Sequence, residues 1–213
     1  DGPEADRAVA GEEQACIRSQ PRPGDDRQGE EDEEELNPEP REASIDIRTL
    51  LPADAAAFQV LRLRGLREAP SAFGASYEEE CDTPAGALAE RMAANRDGFI
   101  LGAFDGRTLV GVVGMQRESQ RKLAHKALLW GMYVVSDARG KGVGRLLVAE
   151  ALRQAFAWPG VRQVNLAVNA ANTPALALYQ ASGFTSFGLE RGCMLVDGVL
   201  HDEVHMVCVR PRE

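Results

Sequence analysis

Two short segments of this chain hold residue types in patterns suited to chemistry. The first is Arg139-Gly140-Lys141-Gly142-Val143-Gly144. Three glycines on alternate positions let a backbone turn tightly and present several N–H groups together. A helical pattern opens at about Gly142, and the first amides and dipole of a helix favour a negative group. Arg139, Lys141 and Arg145 add positive charge nearby. The combination suits a pyrophosphate; taken alone, it also suits a plain glycine-rich turn between a strand and a helix. The second segment runs from Asn172 to Phe184. Asn172 stands at a helix start, where its amide can hold either the backbone or a ligand. Ala175 is small enough for something to lie closely over the helix. Tyr179 follows Asn172 by about two helical turns, so both can face one cleft. By itself Tyr179 reads equally as a core tyrosine, and Gly183-Phe184 reads as a helix stop followed by a core aromatic.

Other chemistries fit poorly. The glycine loop lacks the Gly-Lys-Ser/Thr ending of a Walker loop. Its G-x-G-x-G spacing, past the middle of the chain, is a weak match to the dinucleotide fingerprint. The cysteines Cys16, Cys81, Cys193 and Cys208 form no CxxC pair, and His125, His201 and His205 complete no familiar zinc spacing, so no metal is expected. The cysteines read as reduced thiols, with Cys193 and Cys208 small buried residues on strands.

The elements that must position the two segments follow from periodicity and turn signals. Ile45-Asp46-Ile47-Arg48 alternates as a strand. Asp54 is placed to cap a helix running to about Arg67. Ser76–Glu80 forms a short helix or turn, and Thr83-Pro84 reads as an N-cap with proline at the first helical position of a helix ending near Ala94. Phe99–Phe104 and Thr108–Gln116 form a hairpin across Asp105-Gly106. Ala127–Val135 is almost wholly apolar, which suggests a central strand. The glycine loop and a helix from Gly142 to Ala157 come next, then a strand over Val161–Val168, the Asn172 helix, and two strands, Gly188–Val196 and His201–Val209, joined through Asp197-Gly198. The fold class expected is α+β: a mixed, mostly antiparallel sheet with a parallel pair in the middle, flanked by helices on both faces.

Of 213 residues, 33 are acidic and 24 basic, a formal charge of −9. Residues 1–43 hold 15 of the acids, 5 of the bases and 5 of the 11 prolines, whereas 44–213 is near neutral. The leading segment, with Glu30-Glu31-Asp32-Glu33-Glu34-Glu35, is too poor in apolar residues to offset its ordering entropy and is expected to be disordered. Residues 44–213 form the expected domain. No dense basic patch suggests nucleic acid, and no apolar run is long enough to cross a membrane. The acidic N-terminal stretch is unlike a secretory signal, so a cytoplasmic location is expected.

Both segments carry a family resemblance. Arg139–Gly144 resembles the Q/R-x-x-G-x-G/A motif of the GNAT (Gcn5-related) N-acetyltransferases, and Asn172–Phe184 resembles their N-x-x-A-x-x-L-Y-x-x-x-G-F motif. Trp130-Gly131-Met132-Tyr133-Val134-Val135, ahead of the glycines, is similar to the splayed central strand of that family. The resemblance covers about 45–209. It implies a GNAT-like fold and acetyl-CoA as cosubstrate, with the loop Arg139, Gly140, Lys141, Gly142, Val143, Gly144 and Arg145 binding the diphosphate. It implies that the edge of Met132, Tyr133 and Val134 holds the pantetheine arm and that the Val134 N–H polarises the acyl carbonyl. Asn172 and Ala175 would flank the cofactor, and Tyr179 would stand near the sulfur as the acid. The implied reaction is acetyl transfer to a primary amine by direct attack in a ternary complex.

No residue stands out as the base. Glu78, Glu79, Glu80, Asp82, Glu118, Glu190, Asp202, Glu203 and His125 are candidates, as is water. A non-catalytic acyl-CoA-binding or protein-interaction module with the same fold is the alternative. The C-terminal strands offer an edge for pairing with a second copy, so a homodimer is an option.

Overall fold

The computed structural model describes residues 45–210, and the expected disorder of 1–43 lies outside the described residues. Strands β1 (Ile45–Thr49), β2 (Gly98–Asp105), β3 (Thr108–Arg117), β4 (Lys126–Val134), β5 (Gln163–Asn169), β6 (Thr185–Val196) and β7 (Val199–Val209) form one sheet in the order β1-β2-β3-β4-β5-β7-β6. Only β4 and β5 run parallel; the other neighbours are antiparallel. The helices are α1 (Ala55–Glu68), α2 (Tyr77–Glu80), α3 (Ala85–Ala94), α4 (Val143–Ala157) and α5 (Thr173–Ala181). Among the described residues, no helix is long and apolar enough to cross a membrane.

Helices cover both faces of the sheet, as the α+β expectation required. Tyr133 packs on α1, where a Cβ at Gly65 would meet its ring at 3.0 Å. Its neighbour Val134 points to the other face, because side chains alternate along a strand, and there it lies beside Leu147 of α4. α4 buries Val143, Leu147, Val148, Ala151 and Ala155, a stripe at helical spacing that fills the core under β3 and β4. Met115, Leu166 and Met206 complete that core without solvent exposure above 2%.

Three local features differ from the sequence reading. Asp54 stands at the N-cap of α1 but does not cap it with its side chain. Its carboxylate instead accepts from the Leu51 N–H and two Arg48 nitrogens, at 2.7–2.8 Å, which tie β1 to the turn before α1. The N-cap of α3 is Pro84 rather than Thr83, whose carbonyl oxygen accepts from Gln59. Cys193 is half-buried, and only Cys208 of the strand cysteines lies in the core.

Candidate functional site at the splay between β4 and β5

The parallel pairing of β4 with β5 covers three residue pairs, Lys126 with Gln163, Ala127 with Val164 and Leu128 with Asn165. Past Leu128 the strands part. Gly131, at φ +63°, lies where the β3–β4 register slips, so that Gly131 and Met132 together oppose Val113. That is a β-bulge, and it turns the remainder of β4 away from its parallel neighbour. A glycine inside an apolar strand run is the sequence signal for such a bulge.

The bulge fixes which way the backbone faces. The Val135 N–H donates to the Val110 carbonyl at 3.0 Å, on the β3 side. Amide groups alternate along a strand, so the Val134 N–H and carbonyl point away from β3, into the splay. The carbonyl accepts from Arg139 Nε at 2.9 Å. The Val134 N–H is therefore a donor that faces the splay.

The glycine loop closes one end of the same cleft. Gly140 and Gly142 have φ of +75° and +81°, a region L side chains rarely adopt, and a Cβ on either would meet nothing within 4 Å. Their constraint is conformational, and their outer side is open. The first hydrogen bond of α4 runs from the Leu146 N–H to the Gly142 carbonyl. The Val143, Gly144 and Arg145 amides thus have no acceptor within the helix, and they form an anion-binding end. Gly144 is close-packed: a Cβ there would come within 3.2 Å of Leu178 and of Met132.

A cleft of about 420 Å³ gathers these groups. Met132, Tyr133 and Val134 line it from β4, and Arg139, Gly140, Gly142, Val143, Gly144 and Arg145 from the loop and α4. Asn172 and Ala175 line it from α5. Asn172 Oδ1 accepts from the Ala175 N–H at 3.2 Å, so its carbonyl caps the helix and leaves its NH₂ as a donor. Lys141 does not line the cleft; it lines a separate depression beside Arg64 and Ile45. The unpaired amides, the cations Arg139 and Arg145 and the strand edge suit an anionic ligand with an extended, hydrogen-bonding arm.

Tyr179 is placed differently from the rest. It is 6% exposed, does not line the cleft, and packs edge-on against Phe184 at 5.8 Å. Its hydroxyl has no hydrogen-bond partner among the described residues, and burial pushes its pKa above the usual tyrosine value. Gly183, at φ +90°, ends α5, and Phe184 is 2% exposed, as a helix stop and a core aromatic should be.

Several contacts that brace the cleft carried no signal in the sequence. Tyr133 donates its hydroxyl to Glu68 Oε2 at 2.5 Å, across 65 positions of chain. Burial first, and then this hydrogen bond, push the Tyr133 pKa up to about 12. The Tyr133 hydroxyl and Arg64, which donates at 2.6 Å, hold the Glu68 carboxyl below its ordinary range. Arg139 Nη2 lies 4.0 Å from Glu68, so the end of α1 braces both β4 and the loop. Buried Asn169, at the end of β5, donates to the Ser71 carbonyl at 2.9 Å and fixes the turn that brings Ala72 and Phe73 to the cleft wall.

None of the candidate bases lines the cleft. Glu79 accepts from the Ser76 N–H as a capping box, which lowers its pKa, and Glu80 is bidentate with Arg62. Glu190 pairs with His205 at 3.0 Å, and Asp202 accepts from the Gly192 N–H at 2.8 Å. Glu203 accepts from the Cys193 thiol, whose pKa rises to about 11, a poor nucleophile. Glu78 lines a cavity between α2 and β6 with Cys193. Asp82, Glu118 and His125 are likewise outside the cleft.

Comparison with known proteins agrees with this architecture. The family model described as "Acetyltransferase (GNAT) family" matches residues 63–184. N-alpha-acetyltransferase RimI of Mycobacterium tuberculosis is 36% identical over 115 residues, 54% of this chain and 69% of that protein. The mycothiol acetyltransferase of Corynebacterium glutamicum is 36% identical over 102 residues, 46% of this chain. The chain spans only 32% of the length of that relative. The structure of YncA from Salmonella typhimurium, solved with its cofactor acetyl-CoA, superposes with a TM-score of 0.68 at 17% identity, over 78% of this chain and 93% of that one. With the splayed strands, the bulge and the glycine loop in one cleft, the chain belongs to the GNAT acetyltransferase family.

Proposed function

We propose that this protein transfers an acetyl group from acetyl-CoA to a primary amine by direct attack, with both reactants bound together. The observation that carries the reading is the end of the β4–β5 pairing at Leu128 and Asn165, which leaves an inward-facing strand edge beside the unpaired amides of α4. The α4 amides and Arg145 bind the diphosphate, and the β4 edge orients the thioester. The Val134 N–H donates to the carbonyl oxygen as negative charge gathers there, and one such fixed donor is worth about 3 kcal/mol. Holding both partners replaces a bimolecular encounter with a local one.

Proton transfer needs little from the protein. The leaving thiol has a pKa of about 8.5, so its thiolate is a tolerable leaving group. Tyr179 remains protonated at every working pH, and it is the acid only if acetyl-CoA binding brings the sulfur to its hydroxyl, since Tyr179, like the carboxylates, does not line the cleft. The amine's proton passes to water, since none of the candidate carboxylates lines the cleft. A thiol-release assay with acetyl-CoA against a panel of amines tests the proposal. Release with at least one amine supports it, and none with any amine overturns it.

The burial of Tyr179 favours a second reading, a module of the same fold that binds an acyl-CoA or a protein partner without turnover. That reading predicts CoA binding with no thiol release.

A further inference from the structure

The Val134 N–H is anchored on both flanks, and one carboxylate reaches both anchors. The far anchor is the peptide unit that joins Val134 to Val135. Its N–H donates to the Val110 carbonyl at 3.0 Å, and its oxygen accepts from Arg139 Nε at 2.9 Å. A planar peptide unit held at both its N–H and its oxygen cannot rotate without breaking one of the two bonds. The near anchor is Tyr133. Its backbone opposes Val112 of β3, its ring lies against Gly65 of α1, and its hydroxyl donates to Glu68 Oε2 at 2.5 Å. The peptide unit that carries the Val134 N–H lies between these anchors.

Glu68 stands at both. The oxygen that accepts from Tyr133 is also 4.0 Å from Arg139 Nη2. The Arg139 guanidinium lies over the Tyr133 ring, 5.7 Å from its centre, which closes the set. Arg64, one turn earlier on α1, donates to the other carboxylate oxygen at 2.6 Å and fixes Glu68 in turn. Arg139 brings a cation to the cleft lining, where the resemblance would set it against a diphosphate. Its Nε is instead engaged by a carbonyl five residues back, and Glu68 offsets its charge.

We infer that Glu68 and Arg139 are positioning residues: through Tyr133 on one side and the Val134 carbonyl on the other, they aim the Val134 N–H at the thioester oxygen, an assignment that rests on the acetyl-transfer reading. The donor they aim matters most as charge gathers on that oxygen, so their loss is felt in kcat more than in cofactor affinity. Glu68 itself moves no proton. The Tyr133 hydroxyl first, and then Arg64, hold it ionised, which makes it a weak base.

Acetyl-CoA is compared with acetyl-pantetheine, which lacks the diphosphate, using an amine the wild type accepts. Glu68→Ala, Tyr133→Phe and Arg139→Ala should each lower kcat at least about tenfold with both cosubstrates, and the first two should leave the Kd of coenzyme A unchanged. The Glu68→Ala and Tyr133→Phe losses should not add, because both remove one bond. Arg139→Gln keeps a donor at the Nε position without the charge, so it should recover most of what Arg139→Ala loses. A diphosphate ligand would behave oppositely: glutamine would be no better than alanine, and neither change would matter with acetyl-pantetheine. In the nitrogen-15-labelled chain without amine, the Val134 amide proton should shift on adding acetyl-CoA in wild type and not in Glu68→Ala. Should Glu68→Ala fail to fold, Tyr133→Phe carries both measurements. Unchanged kcat in Glu68→Ala and Tyr133→Phe, an Arg139→Ala loss that vanishes with acetyl-pantetheine, or a Val134 shift that is the same in wild type and variant would each overturn the inference. A wild type that releases no thiol with any amine overturns the transfer reading instead, and the Val134 shift then decides the positioning alone.

Discussion

Leu128 and Asn165 form the last pair of the parallel seam, and three residues later Gly131 turns β4 out of line with β5. A regular parallel pair would satisfy the β4 edge with β5. The bulge instead leaves the Val134 N–H facing a cleft, and the proposed chemistry depends on that freedom.

Gly131→Ala should therefore act at two levels. An L residue at φ +63° costs about 1–2 kcal/mol, so the urea midpoint should fall accordingly. Any relaxation of the bulge reorients Val134, so the KM for acetyl-CoA should rise while the fold persists.

Gly142→Ala separates conformation from contact. No atom obstructs a Cβ there, so the loss reports on φ +81° alone, again about 1–2 kcal/mol. Calorimetry should also find weaker coenzyme A binding, because relief of the strain moves the first amides of α4.

Much of this site was legible from local spacing. The glycine loop, the Asn172 cap and the Asp105-Gly106 and Asp197-Gly198 turns each act within a few residues, and each turn lies where its residue pair predicts. The bulge was also legible, since Gly131 interrupts an apolar strand. The Glu68–Tyr133 bond was not, because it joins residues whose proximity exists only once α1 lies on β4. Asp54 shows the same limit: its residue type suits a helix cap, but the fold brings Arg48 within 2.7 Å and the carboxylate turns to it. The burial of Tyr179 likewise follows from Phe184 returning beneath α5, not from the motif spacing.

Tyr179→Phe removes one hydroxyl that has no protein partner, so thermal stability should change little. If that hydroxyl is the acid, kcat falls by about 100-fold, the lower range for acid–base catalysis, with KM for acetyl-CoA unchanged. Because burial raises its pKa, wild-type kcat should show no loss from Tyr179 ionisation up to pH 10. Full activity in the variant would remove Tyr179 from the chemistry.

Glu150 sets part of the acid stability. Hydrogen bonds from Arg153 first, then Gln154, lower its pKa from an ordinary 4.5 to about 2. A lowered carboxyl contributes stability that is complete above its unfolded pKa and is lost as pH falls through its folded one. Wild type should lose this contribution between about pH 4.5 and about pH 2, and Glu150→Gln should flatten that part of the profile. Urea midpoints measured across this range decide the matter, and parallel profiles would refute it.

The most direct measurement is a crystal structure of the chain with acetyl-CoA. The account predicts diphosphate oxygens accepting from the amides between Gly140 and Arg145, pantetheine along Met132–Val134, and the thioester carbonyl oxygen within hydrogen-bond distance of the Val134 N–H. Acetyl-CoA found away from the β4–β5 splay, or a thioester oxygen turned from Val134, would contradict it.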